Sequence, residues 1–216
     1  MRKVRTAVLI SGSGSNMAAL VEASRAPGYP AEIVLVISSN PDAAGLGKAR
    51  AAGVEALAID HRPFGKDRES HEFAIQAALE KAGTELVALA GYMRILTPFL
   101  VQAWTGRMLN IHPSLLPLYP GLHTHRRALE AGDAEAGVTV HLVTPGLDEG
   151  PALGQVRVPI LPGDTEETLA ARVLVEEHKL YPACLAEVAR ALQEDGYPPA
   201  GEAWPGAVGK HGRALS

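Results

Sequence analysis

The sequence predicts an α/β protein with a doubly wound, mostly parallel sheet and an antiparallel addition at its C-terminal side. Three observations carry this. Residues 4–10 and 32–37 are near-continuous apolar runs rich in β-branched side chains, the pattern of strands buried on both faces. Segments of helical spacing alternate with such runs along most of the chain, as in stacked βαβ units. The last two strand-like segments, 138–143 and 152–158, have no helix between them and should pair antiparallel.

In order, the elements are justified as follows. After strand 4–10 comes the turn SGSGSN, then a helix over 16–25 with Met17, Leu20 and Val21 on one face. Strand 32–37 is closed by SSNP. A helix over 43–52 stops at Gly53, and 54–59 forms a third strand. A helix over 67–82 has Asp67 as its N-cap and Gly83 as its stop. Strand 85–90, a short helix over 97–104 with proline in its first turn, and strand 107–111 follow. A Pro- and Leu-rich loop leads to a helix over 124–131. The chain then enters the final strand pair and a long helix over 165–192, with Pro182 as a potential bend. Residues 1–192 thus make a single domain, and 193–216 form a Gly/Pro-rich tail.

Composition limits the functions available. Of 216 residues, 47% are hydrophobic and 20% charged, enough apolar mass for a packed core. The net charge is −4 and no run of Lys and Arg exceeds two residues, so nucleic acid is not expected as a partner. No apolar segment is long enough to span a membrane, and the start MRKVRTAVLI meets SGSGSN instead of a signal cleavage site. The one cysteine, Cys184, excludes an internal disulfide and a Cys-based zinc site and fits a cytoplasmic protein. It lies in an apolar helix and reads as core.

Chemistry could reside in three places. Ser11 to Asn16 follow the first strand and open a helix, where free N–H groups favour an anion. A third dinucleotide glycine would fall at Met17, and no lysine follows, so neither the Rossmann nor the P-loop pattern is met. A single phosphate, or a plain capped turn, remains. Asn110 and His112 share one face at the carboxyl end of the fifth strand, where open α/β sheets bind ligands. They either satisfy each other in a core or point at a ligand. Asp148 lies in the turn between the last two strands; turn chemistry alone can explain it, but a carboxylate reaching His112 would favour the imidazolium. Together Asn110, His112 and Asp148 suit acyl-type chemistry without a covalent nucleophile, since nothing resembling a nucleophile elbow surrounds Ser114. Four of the eight histidines fall between 112 and 141, so a metal-dependent hydrolase using His112, His123, His125 and Asp148 is an alternative.

The motifs SGSGSN, GYMRIL, LNIHPSLLPLYPGLHTH, GVTVH and LDEGP, in this order, resemble the folate-dependent formyltransferase family. The likeness runs from Val4 to Pro182, and SGSGSN points to the branch that acts on glycinamide ribonucleotide in purine biosynthesis. The resemblance implies transfer of a formyl group from 10-formyltetrahydrofolate, a co-substrate, to the ribonucleotide amine, without a metal. It implies Asn110, His112 and Asp148 as catalytic, and Gly14, Ser15 and Asn16 as the phosphate loop. Glu177 is implied for the glycinamide; Met93, Arg94, Ile95 and Leu96, with Thr144 and Leu147 opposite and Arg68 nearby, for the folate. His123 and His141 are implied as supporting residues. Small-molecule substrates and a monomer or homodimer are expected. Within the family, a formyltetrahydrofolate hydrolase is the alternative, disfavoured because the first strand begins too near Met1 for a regulatory domain. A tRNA-acting relative would need a longer C-terminal extension.

Overall fold

A computed structural model describes residues 2–195. Seven strands form one sheet: β1 (Val4–Ile10), β2 (Ala31–Ser38), β3 (Glu55–Ala58), β4 (Leu86–Leu89), β5 (Met108–His112), β6 (Glu135–Leu142) and β7 (Ala152–Pro159). Their order is β3-β2-β1-β4-β5-β6-β7. The first five are mutually parallel, whereas β6 runs antiparallel to both β5 and β7. The helices are α1 (Ser15–Ser24), α2 (Ala44–Ala51), α3 (Arg68–Lys81), α4 (Pro98–Ala103), α5 (Thr124–Ala131) and α6 (Glu166–Asp195).

Alternation along β1 explains the two-sided core. Val4, Val8 and Ile10 face a layer holding α1 and α6, with Met17, Leu20, Val173 and Tyr181 buried in it. Ala7 and Leu9 face the opposite layer, where α3 and α4 contribute Ile75, Leu79 and Leu100. Covering both faces is what lets β1 be apolar at nearly every position. Asp67 caps α3 as expected, accepting the Ser70 N–H at 3.0 Å.

Three expectations are corrected. β6 begins at Glu135, not at residue 138, because Gly137 belongs to the strand: a side chain there would meet the Val156 carbonyl and Leu115. A short 3-10 turn, Arg62–Phe64, lies in what reads as loop. The expected tail starts too early: α6 continues to Asp195, and the Gln193 amide donates to the backbone carbonyls of Arg2 and Pro30. The remainder of that tail, 196–216, lies outside the described residues. α6 runs through Pro182, whose carbonyl accepts the Tyr29 hydroxyl at 2.7 Å.

Candidate active site

The parallel half of the sheet sends the chain from Ile10 straight into the Gly/Ser loop. Gly14 is the N-cap of α1 at φ 70°, and no side chain caps the helix. A Cβ on Gly14 would stand 2.8 Å from the Gly45 Cα, so the loop packs directly on the start of α2. A cavity of about 280 Å³ opens against Ser11, Gly12, Ser13, Gly14, Ser15 and Asn16. Uncapped N–H groups at a helix start, facing a cavity, are suited to an anion. The Asn16 side chain donates to Glu177 Oε2 at 2.5 Å. Glu177 reaches it from α6. Burial pushes the Glu177 carboxyl upward, and the Asn16 bond pulls it back. Asn16 Oδ1 is buried without a partner.

At the end of β5, Asn110 and His112 do share one face. Asn110 lies opposite His141 of β6 in the antiparallel register. Its Nδ2 donates to His141 Nε2 at 3.1 Å. His141 Nδ1–H donates to the Leu142 carbonyl at 2.9 Å, and burial lowers the pKa of this ring. His141 is therefore a neutral acceptor, which orients the Asn110 amide and leaves one N–H of it for a ligand.

His112 is flanked by acceptors on both sides. Its Nε2 meets the Tyr119 carbonyl at 2.9 Å, and its Nδ1 stands 3.4 Å from Asp148 Oδ2. Both ring nitrogens of His112 thus face hydrogen-bond acceptors. Asp148 reaches it from the β6–β7 turn in a left-handed conformation, φ 55°, a region aspartate tolerates better than most residues. Its Oδ2 also accepts the Gly121 N–H at 2.9 Å, and its Oδ1 lies 3.7 Å from His141 Nε2.

These groups open onto a second, larger cavity of about 630 Å³, a size suited to a drug-sized ligand. Asn110, His112, His141 and Asp148 line it, and Asn16 and Glu177 line the end toward the Gly/Ser loop. Met93, Arg94, Ile95 and Leu96 form one wall, and Thr144 and Leu147 another. Met93, Ile95 and Leu147 are exposed, an apolar rim of the kind that marks a ligand groove. His123 also lines the cavity, as the left-handed N-cap of α5. Arg68 is not in the lining; it reaches the Ile95 carbonyl from outside, at 3.4 Å. His125 is not in the lining either, and its Nδ1 is buried without a hydrogen-bond partner. Among the described residues, no three His, Cys, Asp or Glu side chains converge as a metal-binding group, so the alternative set His112, His123, His125 and Asp148 is not assembled.

Sequence reasoning missed the groups that hold this site in shape. The Tyr119 carbonyl and Gly121 N–H are main-chain atoms, which every residue carries. Ser11 Oγ accepts the Met93 N–H at 2.9 Å and pairs with Ser39 Oγ at 2.8 Å, tying the Gly/Ser loop to the GYMRIL segment. The buried Glu72 carboxylate holds the far end of that segment, accepting from Thr97 N at 2.7 Å and Oγ1 at 2.5 Å. A glutamate on the apolar face of α3 was the available signal for this last contact.

Comparison with known proteins places the chain. A family model described as "Formyl transferase" matches residues 4–185. The phosphoribosylglycinamide formyltransferase of Escherichia coli is 45% identical over 179 residues, covering 83% of this chain and 84% of that protein. A solved phosphoribosylglycinamide formyltransferase from Brucella melitensis is 55% identical, with a TM-score of 0.83 over 87% of this chain and 96% of that one. The human "Trifunctional purine biosynthetic protein adenosine-3" is 47% identical over 195 residues, but this chain spans only 19% of its length, and 14% of the Drosophila melanogaster counterpart. On sequence and fold alike, the chain belongs to the formyl transferase family, in its phosphoribosylglycinamide formyltransferase branch.

Proposed function

We propose that this chain transfers the formyl group of 10-formyltetrahydrofolate to the primary amine of 5'-phosphoribosylglycinamide, in de novo purine biosynthesis. The observation that carries the reading is the meeting of Asn110, His112 and Asp148 in one cavity that continues, past Asn16 and Glu177, toward the Gly/Ser loop. Two substrates fit such a trough end to end. The ribonucleotide phosphate sits on the uncapped start of α1, and Glu177 meets the glycinamide. The folate lies between the Met93–Leu96 wall and Thr144 and Leu147, with Arg68 at its outer end.

The amine then attacks the formyl carbon directly. Its lone pair forms the new C–N bond while the carbonyl electrons move to oxygen, giving a tetrahedral oxyanion. The free N–H of Asn110 donates to that oxygen; one such donor is worth about 3 kcal/mol at the transition state. His112 contributes its positive charge. A direct N–H bond from His112 to the oxyanion would require the ring to leave Tyr119. Asp148 accepts the proton lost by the attacking amine and returns one to the departing folate nitrogen as the old C–N bond breaks. Binding the phosphate far from the reacting carbon supplies orientation. His123 and His141 support the site, and no metal takes part. The cytoplasmic reading rests on the single, buried Cys184.

The test is absorbance on mixing the protein with a 10-formyl folate, with and without the ribonucleotide. Deformylation only with the ribonucleotide supports transfer. Deformylation without it supports the hydrolase alternative, and turnover abolished by a chelator would favour the metal-dependent one.

A further inference from the structure

Residues 119–121 stand between the two halves of the reactive pair. The Tyr119 carbonyl holds His112 Nε2, and two residues later Gly121 N–H holds Asp148 Oδ2, each at 2.9 Å. One short turn therefore sets the 3.4 Å separation of His112 from Asp148. The turn is not in a relaxed conformation. Tyr119 sits at φ 55°, a left-handed region that a residue with a side chain rarely adopts. Such a conformation persists only where its surroundings impose it.

The surroundings here are specific and lie outside the cavity. The Tyr119 hydroxyl donates to Asp133 Oδ2 at 2.6 Å, just beyond the C-terminus of α5. That bond raises the hydroxyl's pKa, keeping it a donor. Arg127 of α5 places its guanidinium 5.1 Å from the centre of the Tyr119 ring. The same guanidinium donates to the Pro120 carbonyl at 2.6 Å and to that of Leu122 at 3.4 Å. Arg127 of α5 thus holds the ring and the following carbonyl, and Asp133, just past that helix, holds the hydroxyl. A solvated surface pair would not need to satisfy three consecutive parts of a strained turn.

We propose that Tyr119, Arg127 and Asp133 are positioning residues for the reaction: Arg127 of α5 and Asp133 just past it, acting on Tyr119 and its neighbours, fix the 119–121 turn that holds His112 against Asp148 in the reactive arrangement. This rests on the formyl-transfer reading of the site. The other titratable groups that act on His112 are Asp148 from the β6–β7 turn, His141 from β6 and His125 from α5, and none of them is altered by the variants below.

The experiment compares wild type with Tyr119→Phe, Asp133→Ala and the conservative Asp133→Asn, whose amide oxygen can still accept. Two readouts are taken: kcat and KM for the ribonucleotide, and the nitrogen-15 resonances of the His112 ring with its Nε2 proton. Tyr119→Phe and Asp133→Ala are expected to lower kcat about tenfold with KM for the ribonucleotide nearly unchanged, the signature of a displaced reactive group. The Nε2 proton of His112 should exchange faster in both, and Asp133→Asn should restore both readouts. Unchanged ring resonances and kcat in both disruptive variants would overturn the clamp. So would losses of kcat matched by the fraction of unfolded protein. If wild type showed no turnover while the ring resonances still responded, the clamp would stand and the formyl-transfer reading would fall.

Discussion

Two glycines on one helix give opposite expectations for the same substitution. Gly45 and Gly47 both lie in α2. A Cβ on Gly45 would stand 2.4 Å from Ile10 Cδ1, 3.1 Å from Gly14 Cα and 3.2 Å from the Gly12 carbonyl. Ile10 is fully buried, which leaves its side-chain tip little room to give, and the other two contacts are the backbone of the Gly/Ser loop. Overpacking of this kind costs about 1–3 kcal/mol, against a helix-propensity gain of at most about 1 kcal/mol. The clash wins at Gly45. A Cβ on Gly47 meets nothing within 4 Å, so there the propensity gain stands alone. For a chain of this size 1 kcal/mol moves Tm by about 2–4 °C. Gly47→Ala is therefore expected to raise Tm by about 2 °C, and Gly45→Ala to lower it by up to about 8 °C. Gly45→Ala should also displace the loop and raise KM for the ribonucleotide, about tenfold for each 1.4 kcal/mol that binding must spend on restoring it. Calorimetry and steady-state kinetics on the two variants check this. Equal Tm shifts, or a ribonucleotide KM untouched by Gly45→Ala, would refute the packing argument.

Other consequences can be measured with the same protein. His112→Ala and Asp148→Ala should lose most of kcat while ribonucleotide binding, followed by calorimetry, persists; Asn110→Ala should lose about 100-fold or more in kcat. His71, His125 and His141 all have pKa values lowered by burial, so the unfolded chain takes protons that the folded one refuses. Stability should fall as pH drops below about 6.5, seen as a declining urea midpoint between pH 7.5 and 5.5; a flat or rising midpoint would contradict this. Ser11→Ala frees the Met93 N–H and should raise KM for both substrates more than it lowers kcat, because the Ser11 hydroxyl joins the two ends of the trough.

Where the sequence was legible, one physical cause dominated. Burial on both faces marked β1 to the residue, and Asp67 could be assigned as a cap because its side chain acts within one turn. Asn110 and His112 were legible through strand alternation, and their site through the rule that ligands gather at the carboxyl ends of parallel strands. Boundaries failed where tertiary contact overrode local pattern. Gly137 lies just before the expected start of this strand, yet its lack of a side chain is what lets Leu115 approach β6. The roles of Tyr119 and Gly121 were hidden because main-chain atoms leave no trace in residue identity. The pairing of Asn110 with His141 depends on the antiparallel register of β5 with β6, which periodicity does not determine.

The position of α6 has a consequence for how the protein is made. Asn110, His112 and Asp148 all leave the ribosome before this helix does. Yet α6 packs on β1, β2, β5, β6 and β7, buries Leu169, Val173, Tyr181 and Leu185, and brings Glu177 to the trough. The Tyr181 hydroxyl alone joins the carbonyls of Leu89 and Leu109, on adjacent strands. Until its thirty residues have been added, about 2–6 s at ordinary elongation rates, the share of that face which α1 does not cover stays open. During that interval Asn110, His112 and Asp148, the proposed catalytic residues, are already made while part of the core still lies open, the kind of surface that makes a nascent chain prone to aggregation.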